Sequence, residues 1–162
     1  MKNVKKILIV CTGNSCRSIM AEGYLTKRLA ETGVKGIEII SSGTGALPGL
    51  KPSEEAVQVM NENGVDVSGY VSSSLDRAHI RDSDVILAME PFHKESIVDL
   101  LPEAASKTYL LGNFSLKNKG SLVRISDPIG RPIESYRSIF EVIKDCIEGF
   151  IKIQGFTKWA KE

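Results

Sequence analysis

Four short apolar runs punctuate the chain, separated by stretches in which apolar residues recur every three or four positions. Ile7-Leu8-Ile9-Val10 is continuously apolar, as expected of a strand buried on both faces. Ile19, Met20, Tyr24, Leu25 and Leu29 follow at helical spacing, and Gly33 marks that helix's end. Ile37 to Ile40 reads as a second strand, followed by a Gly/Pro-rich loop from Gly43 to Pro52. Ser53 is a good N-cap for a helix carrying Ala56, Val57, Val59 and Met60, closed by Asn63-Gly64. Val85 to Met89 is a third strand, and Pro91 opens a helix that ends before Pro102. Thr108 to Leu111 is a fourth strand. Beyond the polar segment from Asn113 to Arg124, Tyr136, Ile139, Phe140, Ile143, Ile147, Phe150 and Ile151 form one stripe of a helix from about Glu134 to Ile153. Strands alternating with helices predict an α/β fold with a parallel sheet. Right-handed crossovers then place ligand sites beyond the carboxyl ends of the strands.

Composition narrows the class. The chain has 162 residues, which predicts a single domain over residues 1–162 with a full hydrophobic core. A net charge of +1 lacks the basic field of a nucleic-acid binder. The basic start, Met1 to Lys6, is like a signal n-region. The apolar run behind it, Ile7 to Val10, is too short for a secretory h-region of roughly 7–15 residues. No apolar run approaches the length of a membrane span. Three cysteines, an odd and low count, argue against a disulfide scaffold. The expectation is a cytoplasmic protein with reduced thiols, no nucleic-acid partner and no membrane partner.

The first strand end carries the most informative residues: Cys11-Thr12-Gly13-Asn14-Ser15-Cys16-Arg17-Ser18. A strand-to-helix turn points successive backbone N–H groups into one concavity, and the helix N-terminus adds partial positive charge. Such a nest binds a tetrahedral oxyanion. Gly13 permits a positive φ in the loop, and Asn14 tolerates one better than most residues. Arg17 can fork two phosphate oxygens, and Cys11 would sit at the centre of the nest, where its thiolate is favoured. A nucleotide P-loop is excluded because the Gly-Lys-Ser/Thr ending is missing. No metal or cofactor is required, since the nest and Arg17 supply the positive charge. Cys146 falls on the apolar stripe of the last helix and reads as core. His93 reads as an exposed helix residue, and His79 is given no role.

The segment from Val10 to Ser18 resembles the active-site signature of the low-molecular-weight protein tyrosine phosphatases. The resemblance continues through Met20-Ala21-Glu22, Ser41-Ser42-Gly43-Thr44, Asp84 to Met89 and Asp127-Pro128, and so covers nearly the whole chain. It implies a four-stranded parallel sheet of order 2-1-3-4 flanked by helices on both faces. It also implies that Cys11 is a nucleophile forming a phosphocysteine, that Arg17 binds the phosphoryl oxygens, and that Ser18 hydrogen-bonds the Cys11 thiolate. Asp127 is implied as general acid and then base. Asn14 is implied to hold the loop, partly through Ser42, and Cys16 to be a thiol able to trap oxidised Cys11. The implied partner is a phosphorylated protein, acted on by a monomer.

The chain departs from the family pattern in ways that bear on substrate. Tyr70 stands where the family usually has a His supporting the Asn network. Tyrosine-selective members grip the phenyl ring with aromatics in the loop matching Ala46 to Gly49 and directly after Asp-Pro. Here those places hold Leu47-Pro48 and Ile129-Gly130. Ser15 replaces the bulky aliphatic of tyrosine-selective members and is nearer to the Thr of the bacterial protein-arginine phosphatases. The Val71-Ser72-Ser73 and Asp-Pro-x-Gly patterns also look like that subgroup. The leading expectation is a phosphoarginine phosphatase, with a phosphotyrosine phosphatase as the alternative. A thioredoxin-coupled arsenate reductase is disfavoured because no cysteine lies between Cys16 and Cys146. An inactive phosphate-binding module is disfavoured because Cys11, Arg17 and Asp127 are all present. The only Trp, Trp159, is in the tail, away from every implied pocket segment.

Overall fold

The computed structural model describes residues 4–154. Trp159 and the first residues of the basic start lie outside the described residues. Four strands, β1 (Lys6–Cys11), β2 (Glu38–Gly43), β3 (Val85–Ala88) and β4 (Thr108–Leu110), form one parallel sheet in the order β2-β1-β3-β4. Five α-helices cover it: α1 (Arg17–Glu31), α2 (Glu54–Glu62), α3 (Arg77–Asp82), α4 (Pro91–Leu100) and α5 (Ile133–Gln154). β2 continues past the expected Ile40 through Ser41 and Ser42 to Gly43. The short α3 was not expected, because Ile80 is its single buried residue and leaves no apolar period to read.

Alternation along β1 divides the core in two. Ile7, Ile9 and Cys11 face a cluster with Val85, Leu87, Met20, Leu25, Phe140 and Ile147, supplied by β3, α1 and α5. Leu8 and Val10 face the opposite cluster with Ile86, Ala88, Ile80 and Ile97, supplied by β3, α3 and α4. A strand buried on both faces must be apolar at every position, which is why β1 reads as a continuous run. The Asp84 carboxylate accepts the backbone N–H groups of Lys5 and Lys6, tying the start of β1 to that of β3. Chain order reverses around β1, so its carboxyl end and that of β3 open into the same crevice.

α5 packs closely against the segment after β4. A Cβ added at Gly149 would overlap the Phe114 carbonyl, so this helical glycine marks a backbone-on-backbone contact. Gly149→Ala is expected to destabilise the fold by about 2–3 kcal/mol through overpacking. Gly69→Ala, whose Cβ would meet nothing within 4 Å, is expected to stay within about 0.5 kcal/mol of the parent. Urea midpoints at unchanged m-value are the measurement.

Candidate active site

The loop between β1 and α1 closes on itself around the Cys11 sulfur. Cys11 is the last residue of β1 and is buried. Its Sγ lies 3.0 Å from Ser18 Oγ and accepts the Asn14 backbone N–H at 3.3 Å. Asn14 is fully buried and adopts φ 52°, the sole non-glycine positive φ among the described residues. Asn and Asp accept this left-handed geometry more readily than other side chains. The expected positive φ at Gly13 does not occur; Asn14 alone makes the turn.

The Asn14 carboxamide fixes that strained geometry. Its Nδ2 donates to Ser18 Oγ at 2.7 Å and to Ser41 Oγ at 2.9 Å, and its Oδ1 accepts the Ser73 N–H at 2.8 Å. Two expected supports are therefore corrected. Ser41, not Ser42, holds Asn14; the Ser42 hydroxyl is buried without a hydrogen-bond partner. The reason is strand parity, since successive side chains point to opposite faces. Ser41 pairs with Ile9 on the α1 side, and Ser42 pairs with Val10 on the other. Tyr70 also stands off Asn14, and its hydroxyl interacts with Thr26 and Glu22 instead. Burial raises the Glu22 carboxyl above the ordinary value, with the Ser41 hydroxyl opposing the rise.

The end of β2 supports the loop's outer side. Thr44 N–H donates to the Cys11 carbonyl at 2.9 Å and Gly45 N–H to the Thr12 carbonyl at 3.0 Å. Gly43 has no room for a side chain because its Cβ would strike the Thr12 carbonyl. The Ser15 carbonyl accepts the N–H of Ser53, which caps α2. Cys16 is buried, with Ser53 Oγ at 3.3 Å, Ser15 Oγ at 3.6 Å and Tyr136 Oη at 3.9 Å. Burial pushes its thiol up, which keeps it protonated as a weak donor. Cys146 is core, as expected, and burial pushes its thiol up to about 12.

Arg17 is 2% exposed and joins three segments. Its Nη1 donates to Glu90 Oε2 at 2.6 Å and to the Ile125 carbonyl at 2.9 Å. Its Nη2 is 3.6 Å from Asp127 Oδ2. The other Asp127 oxygen accepts the Ile129 N–H at 3.1 Å, an Asx turn that orients the carboxylate. Arg17 and Asp127, far apart in the chain, are thus brought together beside the loop that begins at Cys11. Glu90 was missed, although it lies just past the carboxyl end of a buried strand, where such sites are built. Among the described residues no group of three or more His, Cys, Asp and Glu could hold a metal ion.

His93 was also missed. It was expected on an exposed face, but it is fully buried against the loop. Its Nδ1 accepts the Glu90 N–H at 3.1 Å, and its Nε2 is 2.8 Å from Thr12 Oγ1. Burial and the nearby Arg17 charge depress it to about 4, against the smaller opposing pull of Glu90 and Asp127. The unfolded chain therefore takes up a proton near pH 6.5 that the folded chain refuses until about pH 4. Stability from this residue is present above pH 6.5 and is lost on acidification towards pH 4, by roughly 3 kcal/mol. Urea unfolding of the parent and of His93→Gln, at pH 7 and pH 4.5, is expected to show a smaller acid loss in the variant.

The family model "Low molecular weight phosphotyrosine protein phosphatase" matches residues 6–159. A protein-arginine-phosphatase from Geobacillus stearothermophilus is 38% identical over 88% of this chain and 91% of its own. The solved YwlE arginine phosphatase from the same organism superposes with a TM-score of 0.81 at 36% identity, covering 93% of this chain and 92% of that one. The Erwinia amylovora tyrosine phosphatase AmsI superposes with a TM-score of 0.83 at 30% identity, covering 93% of each chain. The matched family, the 2-1-3-4 sheet and the loop around Cys11 agree: this chain belongs to the low-molecular-weight protein phosphatases and is a phosphatase of proteins.

Proposed function

We propose that this chain removes the phosphoryl group from phosphoarginine in proteins, with Cys11 as nucleophile. The Cys11 thiolate attacks phosphorus and forms the S–P bond while the P–N bond breaks. Asp127 gives its proton to the leaving guanidine nitrogen. Arg17 and the loop N–H groups of Thr12, Gly13, Asn14, Ser15 and Cys16 hold the phosphoryl oxygens as charge spreads over them. The Ser18 hydroxyl, 3.0 Å from Cys11 Sγ, stabilises the departing thiolate in the second step. There Asp127 takes a proton from water, the water oxygen bonds phosphorus, and the S–P bond breaks to release phosphate.

The observation that carries the choice of phosphoarginine is Ser15. It is half-buried in the loop and offers a hydroxyl for a guanidinium where a bulky aliphatic would offer none. The rim adds support, because Leu47 and Ile129 are exposed where phenyl-gripping aromatics would stand. The phosphotyrosine reading has one observation in its favour. Phe92 is half exposed and lies 4.1 Å, centroid to centroid, from His93, which touches Thr12 of the loop.

Paired kcat/KM measurements on phosphoarginine and phosphotyrosine peptides are expected to favour phosphoarginine; preference for phosphotyrosine rejects the assignment. Ser15→Ile is expected to move the ratio about tenfold toward phosphotyrosine, the scale on which pocket contacts discriminate. Asp127→Asn is expected to lower kcat by about 10²–10⁴, with Cys11 phosphorylation still detectable for substrates with good leaving groups. Full kcat in that variant would place the acid elsewhere.

A further inference from the structure

We infer that His93 is a positioning residue of the phosphate loop, holding Thr12 and the Glu90 end of α4 in one rigid bridge through its two ring nitrogens. The bridge is defined by its bonds. Nδ1 accepts the Glu90 backbone N–H, so in the neutral ring the proton sits on Nε2, which donates to Thr12 Oγ1 at 2.8 Å. The Nδ1 bond needs the neutral ring and the pair together needs this tautomer, and the depressed basicity of His93 keeps it there. The ring is fully buried and packed by Phe92.

What the bridge joins gives it consequence. Thr12 is the first residue after Cys11, and its N–H belongs to the anion nest. Glu90 holds the Nη1 of Arg17 at 2.6 Å. The loop and Arg17 form one contiguous segment, whereas Glu90, which holds the guanidinium, lies at the start of α4. His93 spans them directly, from the loop to the residue that orients Arg17. In helix terms His93 occupies the third position of α4, where a side chain reaches back to cap the N-terminal N–H. The Nδ1 bond is that structural cap. The Nε2 bond to Thr12 goes beyond it, because capping α4 does not need the phosphate loop.

The two roles separate experimentally. Thr12→Val removes the loop end of the bridge and leaves the cap of α4 intact. His93→Leu removes both bonds. His93→Gln offers an amide oxygen for Glu90 N–H and an amide N–H for Thr12. With an aryl phosphate, Thr12→Val is expected to lower kcat about tenfold and weaken inhibition by inorganic phosphate, with little change in melting temperature. His93→Leu is expected to lower kcat by at least as much and also to lower melting temperature. The double variant is expected to be no slower than His93→Leu alone, because both changes break one bridge. His93→Gln is expected to recover most of the kcat. Kcat within twofold of the parent in Thr12→Val, or losses that multiply in the double variant, would overturn the bridge.

This inference rests on the cysteine-phosphatase reading, so a second readout does not use turnover. The rate of Cys11 alkylation by iodoacetate at neutral pH is expected to fall in Thr12→Val and in His93→Leu, and to be restored in His93→Gln. An unchanged alkylation rate in a folded Thr12→Val protein contradicts the bridge even if the reaction chemistry is as proposed. Altered alkylation with no phosphatase activity in the parent contradicts the chemistry and leaves the bridge standing.

Discussion

The left-handed turn at Asn14 is the constraint on which the rest of the site depends. To aim several consecutive N–H groups at one point, the chain must leave β1 and enter α1 through a conformation most residues avoid. Asn14 adopts φ 52° and is fully buried there. Its carboxamide is bonded to α1, to β2 and to the segment at Ser73. Strain of this kind persists only where surrounding structure over-determines it. Here the sheet register does so, because pairing Ile9 with Ser41 brings the serine hydroxyl beneath the loop. The nest is therefore a product of the parallel sheet as much as of the loop.

Arg17 is the second half of the design. A buried guanidinium needs partners, and an uncompensated one is strongly destabilising. Glu90, the Ile125 carbonyl and Asp127 meet that need from the end of β3 and from the segment leading into α5. The same contacts tie the segment bearing Asp127 to the start of α1. One cation thus ties the helix end of the loop both to Glu90 and to the Asp127 carboxylate. His93 closes the arrangement from behind by linking Glu90 to Thr12.

Much of this was legible in the amino-acid order. A continuous apolar run followed by Cys, a turn, Arg and a helix start reads as a strand feeding a tight strand-to-helix turn, as found. Among the described residues, all four strands and four of the five α-helices follow from their apolar periods. What was not legible has physical causes. Choosing Ser42 over Ser41 is a parity error, undetectable until the strand's inward face is known. Tyr70 cannot be placed from its position alone, because its partners Thr26 and Glu22 lie on a different element. His93 reads as surface because α4 has a weak apolar stripe; its burial comes from hydrogen bonds to the loop rather than from packing period. α3 rests on an Asp76 cap and one apolar contact, too little for a periodicity to register.

The proposed choice of substrate rests on other side chains. Leu47 and Ile129 are exposed on other loops and Ser15 lies in the phosphate loop itself, but none of their side chains bonds Asn14 or Arg17. The central claim is that the nest exists to let Cys11 carry the phosphoryl group. The most direct test is rapid acid quench during turnover of an aryl phosphate, followed by mass spectrometry of the Cys11 peptide. A phosphoryl adduct on Cys11 that forms and decays at the rate of turnover is the expected result. Turnover with no adduct on Cys11, or with the label on another residue, would contradict it.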